Sequence, residues 1–150
     1  MQRDSIVRPA AVAARFYPGE RAALAAMVGD LLGTAQTSLN APKAIIAPHA
    51  GYVYSGPIAA NAYARLYPAS GAIRRAILLG PSHRVAFRGL AASGADAFAT
   101  PLGEVPVDTA AVAAACRLPP VRRLDEAHAL EHSLEVQLPF LPYVLQEFSI

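Results

Sequence analysis

KAIIAPHAGYVYSGPIAANAYARLYPASGAIRRAILLG, residues 43–80, is the stretch that decides the fold. Lys43–Ala47 is a short, continuous apolar run halted by Pro48, the profile of a strand buried on both faces. Arg75–Gly80 is a second such run, halted by Pro81. Between them, Ser55 is suited to cap a helix with Pro57 in its first turn, reaching about Leu66. Ala59, Ala60, Tyr63 and Leu66 give that helix an apolar stripe. Strand, helix, strand at this length matches the roughly 30-residue βαβ unit, whose strands are parallel and whose crossover is right-handed in nearly all cases. The fold class expected from this stretch is α/β with a mainly parallel sheet.

The flanks agree with that class. Upstream, residues 20–33 carry Leu24, Met27, Val28 and Leu31 at helical spacing with Gly33 as a stop, and Thr34–Pro42 reads as a polar loop. Downstream, the pattern predicts a short strand near Gly89–Ala92, a loop over Thr100–Val107, and a helix capped by Asp108 that runs to about Cys116. After Pro119-Pro120, a last helical stretch is expected near Glu131–Leu138, continuing toward Leu145 despite Pro139 and Pro142.

The chain has 150 residues, 54% hydrophobic and 16% charged, which fits one domain over residues 1–150 with a substantial core. A formal charge of +2 is too weak to predict a nucleic-acid or acidic-membrane partner. The single cysteine, Cys116, excludes an internal disulfide framework and an all-cysteine zinc site; a small buried apolar role is expected for it. The apolar run Pro9–Ala14 is too short for a signal peptide. The stretch between Lys43 and Arg65 lacks charge but is interrupted by Pro48, His49, Gly51, Gly56, Pro57 and Asn61, so it does not read as a membrane span. A cytoplasmic location is expected.

Parallel strands end at one edge of the sheet, where open α/β folds bind ligands. His49 follows the first run by one proline, and His83 follows the second by Pro81-Ser82. Adjacent strands lie about 4.8 Å apart, close enough for two loop imidazoles to meet on one metal ion at about 2.0–2.2 Å each. Each histidine taken alone reads more readily as a hydrogen-bonded loop residue; their shared placement favours the metal pair. The same edge receives a helix N-terminus beside Tyr52 and Tyr54. These groups suit an anionic or phenolic ligand, or the tyrosines simply pack as loop aromatics. Ser55 and Ser82 are nucleophiles only in principle, because no G-x-S-x-G elbow is present, and a zinc or serine hydrolase would rest on the histidines alone.

A second polar cluster, DEAHALEHSLE, occupies residues 125–135. On a helix, His128 and His132 would share a face, as would Glu131 and Glu135. Ala129 stands where a zincin needs glutamate, and Leu130, Leu134 and Leu138 make a solvated helix face the plain alternative.

The strings RPAAVAARFYPGE (8–20), PHAGYVYSGPIAANAYA (48–64), GPSHR (80–84), TPLGEVPVD (100–108) and EHSLEVQLPFL (131–141) together resemble the Memo family, whose bacterial and archaeal members are also called AmmeMemoRadiSam system protein B. The resemblance runs in order along nearly the whole chain. It implies a three-layer α/β/α fold similar to class III extradiol dioxygenases, which hold non-haem Fe(II) on two histidines and a carboxylate and use a further histidine as acid/base. Carried over by motif, His49 and His83 are the metal-site histidines, with Fe(II) or copper as the implied cofactor. His132 lies in a motif lining the same cleft, and His132 or Tyr54 is the expected proton-moving catalytic residue. The implied function is a metal-dependent, dioxygenase-like or redox site for a small molecule. The alternative is a non-catalytic module for an anionic or phospho-ligand, in keeping with phosphotyrosine-peptide binding by a vertebrate member. Relatives in this family continue for about another hundred residues, with an S-D-x-x-H segment and a cysteine. The resemblance therefore implies a domain incomplete at its C-terminal end, a third metal ligand beyond Ile150, and association through an incomplete sheet edge. Glu131 and Glu135 are poor substitutes for that ligand.

Overall fold

Leu24, Val28 and Leu32 recur on one side of helix α1 (Arg21–Gly33) and are buried in the computed structural model, which describes residues 4–150. Met1–Arg3, part of the expected 1–150 domain, lie outside the described residues. Helix α2 (Tyr52–Ala64) begins three residues before Ser55, so the expected Ser55 cap is corrected. Gly51 is the capping residue, and the Ser55 hydroxyl donates back to the Ala50 and Gly51 carbonyls at 2.8 and 3.3 Å. Pro57 thus sits inside the helix and leaves the Val53 carbonyl without an intrahelical donor, at a residue open to water. Gly56 allows α1 and α2 to pack tightly, since a Cβ there would meet Leu31 Cδ1 at 2.8 Å.

The strands are short: β1 (Val7–Arg8), β2 (Leu90–Ala92), β3 (Ala97–Thr100), β4 (Gly103–Pro106) and β5 (Val121–Arg123). β1 pairs parallel with β3, β2 parallel with β5, and β3 antiparallel with β4. The architecture is α/β, with parallel pairing in two of the three ladders among the described residues. The β3–β4 hairpin replaces the loop expected over Thr100–Val107. Phe98 and Val105 are cross-strand partners and both are buried, which supplies the driving force. Gly103, at φ +136°, accepts the turn, and the Thr100 hydroxyl donates to its carbonyl at 2.8 Å. Helix α3 (Thr109–Ala115) is capped as expected, Asp108 accepting the Ala111 N–H at 2.8 Å.

The two apolar runs that suggested the βαβ unit are packed on one side only. Ile45, Ala47, Ala76 and Leu78 lie against the core, whereas Ile46, Ile77 and Leu79 are 99, 82 and 77% exposed. Within these runs, the pairing among the described residues is the parallel bridge Arg75–Ser149. The expectation of burial on both faces is corrected accordingly: an apolar run shows that both faces can be covered, not that this chain covers them.

The expected helix from Glu131 is also replaced. Helix α4 (Glu126–Ala129) stops, a turn follows, and a 3-10 helix (Glu135–Phe140) leads into helix α5 (Leu141–Val144). Arg8 captures the His128 and Glu131 carbonyls, each at 2.7 Å, while the Glu131 carboxylate takes the His132 and Ser133 N–H groups at 2.8 and 2.9 Å. The groups that a continuous helix would pair internally are thereby occupied elsewhere. Three buried tyrosines pin the 3-10 helix that follows: Tyr17 donates to Glu135 at 2.6 Å, Tyr52 to the Val136 carbonyl at 2.7 Å, and Tyr63 to the Gln137 side chain at 2.9 Å. Among the described residues, no helix is long and apolar enough to cross a membrane.

Candidate metal centre

His49 and His83 follow the two apolar runs, and His132 lies in the turn between α4 and the 3-10 helix. These three separate segments meet. The ring centroids are 5.3 Å apart for His49 and His83, 5.8 Å for His49 and His132, and 4.5 Å for His83 and His132, whose planes are stacked. One ring nitrogen from each falls within 4.8 Å of the others. Three donors at about 2.0–2.2 Å from a single ion stand closer together than that bound, so the rings would draw inward on binding. Imidazole donors suit iron, copper, zinc and nickel alike, so the donor set fits a transition metal without selecting one.

Residues 131–137 hold the centre together. The Gln137 amide donates to the Pro48 carbonyl at 3.1 Å, fixing the residue before His49. The Ser133 hydroxyl donates to the Pro81 carbonyl at 2.8 Å, two residues before His83. That approach depends on Gly80, where a Cβ would come within 2.8 Å of the Ser133 hydroxyl. Glu131 grips His83 twice, accepting its backbone N–H at 2.6 Å and facing its ring Nδ1 at 2.9 Å. The same carboxylate oxygen lies 3.3 Å from His132 Nδ1. Phe16 covers the other side of His132, with ring centroids 4.5 Å apart.

The electrostatics favour a neutral His132 beside a charged Glu131 carboxylate. Burial pushes the Glu131 carboxyl up, but hydrogen bonds from the His83 backbone and ring, and from the Ser133 and His132 N–H groups, outweigh it and bring the pKa down to about 2. For His132, burial lowers the pKa and is the largest influence; Glu131 opposes it, while His83 and His49 lower it further. The neutral ring is the metal-binding form.

The remaining sequence candidates are dispersed. Tyr54 is 85% exposed in the first turn of α2. Tyr52 is buried, with its hydroxyl committed to Val136. Ser55 bonds back into its own turn, and the Ser82 hydroxyl donates to the Val85 carbonyl at 2.7 Å. His128 faces away from the centre: its Nε2 lies 3.1 Å from the Ala91 carbonyl and Phe98 meets its ring edge-on, so the His128/His132 helical pair does not form. Glu135 is buried against Arg8. Cys116, at the end of α3, forms no disulfide and is half-buried rather than fully buried as expected. A cleft of about 430 Å³ runs behind Glu131, lined by Leu78, Pro81, Phe87, Ala127 and His128 among others; the three clustered histidines lie outside its walls.

Sequence reasoning missed the supporting roles of Arg8, Glu131, Ser133 and Gln137. A visible signal exists for Gln137: with Glu135 it interrupts an otherwise apolar run from Leu134 to Leu141, as buried, hydrogen-bonded groups do.

A family model described as Memo-like protein matches residues 8–150. Among curated proteins, the chain is similar to a MEMO1 family protein of Aquifex aeolicus, with 39% identity covering 96% of this chain and 53% of that protein. A MEMO1 family protein of Methanopyrus kandleri is 40% identical over 93% of this chain and 53% of its own length. Protein MEMO1 of Xenopus laevis is 38% identical over 93% of this chain and 47% of its own length. The chain thus spans about half the length of these relatives.

Proposed function

Given that the chain belongs to the Memo-like family, we propose that it carries a non-haem metal site, iron or copper, on His49, His83 and His132. The single observation behind this reading is the meeting of three imidazoles from three separate segments within ligand distance of one another. His132 serves as the third donor among the described residues. Held on these histidines, Fe(II) would supply the Lewis-acid and redox chemistry of ring-cleaving dioxygenation toward a catecholate-like substrate and O₂.

The chain's own residues bind and orient. Glu131 and Ser133 hold the His83 loop, Gln137 holds the His49 loop, and Phe16 shields His132 from water. Tyr54, open to solvent, is free to meet a ligand arriving from water. The substrate class is a small phenolic or anionic molecule, and a cytoplasmic location belongs to the same proposal.

Metal analysis of anaerobically purified protein, with His49→Ala and His83→Ala beside it, tests the centre. Iron or copper retained by the parent and lost in both variants is the expected result; equal metal in all three removes the site. Incubating Fe(II)-loaded protein with catechols tests the reaction, a yellow ring-cleavage product with O₂ uptake being expected. A flat trace with metal bound would leave a binding module for anionic or phospho-ligands.

A further inference from the structure

Glu131 makes a set of contacts that no structural need of its own turn explains. Two of its acceptor interactions serve the local turn, through the His132 and Ser133 N–H groups at 2.8 and 2.9 Å. Beside a longer approach to the His132 ring Nδ1 at 3.3 Å, two more reach 48 residues away, to the backbone N–H of His83 at 2.6 Å and to its ring Nδ1 at 2.9 Å. The carboxylate is 6% exposed, whereas the His83 side chain is 40% exposed. An imidazole that open to water rotates and exchanges tautomers freely unless something fixes it.

We propose that Glu131 is the positioning residue of the centre, accepting the Nδ1–H of His83 so that its Nε2 is the nitrogen left to bind metal. This rests on the three-histidine reading above. A neutral imidazole has one N–H and one lone pair, and whichever nitrogen donates to a carboxylate leaves the other as the ligand. The backbone bond from His83 to the second carboxylate oxygen sets the ring's origin, and the ring bond sets its rotation. Both oxygens are therefore used on one residue, which distinguishes ring orientation from simple loop closure. Carboxylate–histidine–metal relays of this form raise ligand basicity and hold the ring in its binding pose. The short EHS sequence at residues 131–133 then has three divided tasks: Glu131 orients His83, His132 donates, and Ser133 fixes the Pro81 carbonyl.

The test uses wild type, Glu131→Gln and Glu131→Ala, with two readouts. In metal-free wild type, a long-range proton–nitrogen NMR spectrum of the histidine rings is expected to show His83 as the Nδ1–H tautomer. Glutamine, which keeps an acceptor oxygen but not two, is expected to give a mixture of tautomers. Fe(II) affinity, measured anaerobically by chelator competition, is expected to fall about 10–100-fold in Glu131→Ala and less in Glu131→Gln. A His83 ring found as Nε2–H in wild type overturns the proposal, as does unchanged Fe(II) affinity in a folded Glu131 variant. If Glu131→Ala fails to fold, the wild-type spectrum and Glu131→Gln decide. Wild type that binds no Fe(II) overturns the metal reading, while the tautomer still reports separately on Glu131.

Discussion

The Arg8 guanidinium is ion-paired with the Glu135 carboxylate across 127 residues of sequence, with side-chain exposures of 6 and 0%. Glu135 also accepts the Ala11 and Val12 N–H groups at 2.8 and 2.9 Å and the Tyr17 hydroxyl, so both oxygens are fully engaged. The N-terminal strand and the segment bearing His132 are thereby held as one body. Removing the carboxylate leaves a buried cation without its counter-charge. Glu135→Ala is expected to cost about 3–5 kcal/mol, read as a shift in the urea midpoint at constant slope. A loss below 1 kcal/mol would show that the pair is not what closes the fold.

His132 separates two roles cleanly. As a metal donor, its replacement by alanine lowers bound iron or copper as His49→Ala and His83→Ala do. As a proton-moving group, the same replacement leaves metal in place and removes turnover alone. Metal loss in His132→Ala is the expected result, measured by elemental analysis against the two other variants.

His128 predicts a pH effect on stability. Burial is the largest influence on its pKa and lowers it, partly offset by the Ala91 carbonyl and Asp125. A histidine whose folded pKa lies below its unfolded value binds fewer protons in the native state, so stability rises with pH through that window. Full stability is expected above the ordinary histidine pKa of about 6.5, declining as pH falls below it. In His128→Gln the slope of unfolding free energy against pH between about 7.5 and 5.5 should become shallower. An unchanged slope would exclude His128 as a contributor.

Gly89 sits at φ +88°, and a Cβ there would lie 2.3 Å from the Pro120 carbonyl oxygen, a backbone atom that cannot step aside. That close approach lets β2 begin its pairing with β5, through the Leu90 N–H on the same carbonyl at 2.7 Å. Gly89→Ala is expected to destabilise by at least about 1–3 kcal/mol by thermal or urea unfolding, with the β2–β5 amides losing hydrogen-exchange protection first.

Ile77 and Leu79 project into water on the uncovered side of their run. Replacing both with threonine puts a β-branched, strand-compatible residue at each position while removing apolar surface. Lower binding of a hydrophobic dye and less self-association at high concentration are expected, with stability changed by under about 0.5 kcal/mol. A large loss of stability would mean that these side chains are packed rather than free.

That His49 and His83 meet was legible in the sequence, since each follows an apolar run ended by proline, but the route was not: the two runs do not pair as strands among the described residues, and their ends are held together by contacts from residues 131–137. The Asp108 cap and α1 were local and readable. The break after α4 was not, since it depends on Arg8, a residue 123 positions from the Glu131 carbonyl it captures. The β3–β4 hairpin hid behind Pro101, Gly103 and Pro106, which read as loop until the burial of Val105 opposite Phe98 is seen. His132 was marked by its motif alone; that it joins the other two rings follows from the Gln137, Ser133 and Glu131 contacts, each made to a distant part of the chain.

These contacts also order events during synthesis. A nascent polypeptide that has left the ribosome only as far as residue 130 already displays His49 and His83, yet has none of the three clamps that align them. Domains form as units when their last required segment emerges. On the proposed metal reading, an ion met before that moment would find only a loose two-imidazole chelate, and loading would wait for the docking of residues 131–137.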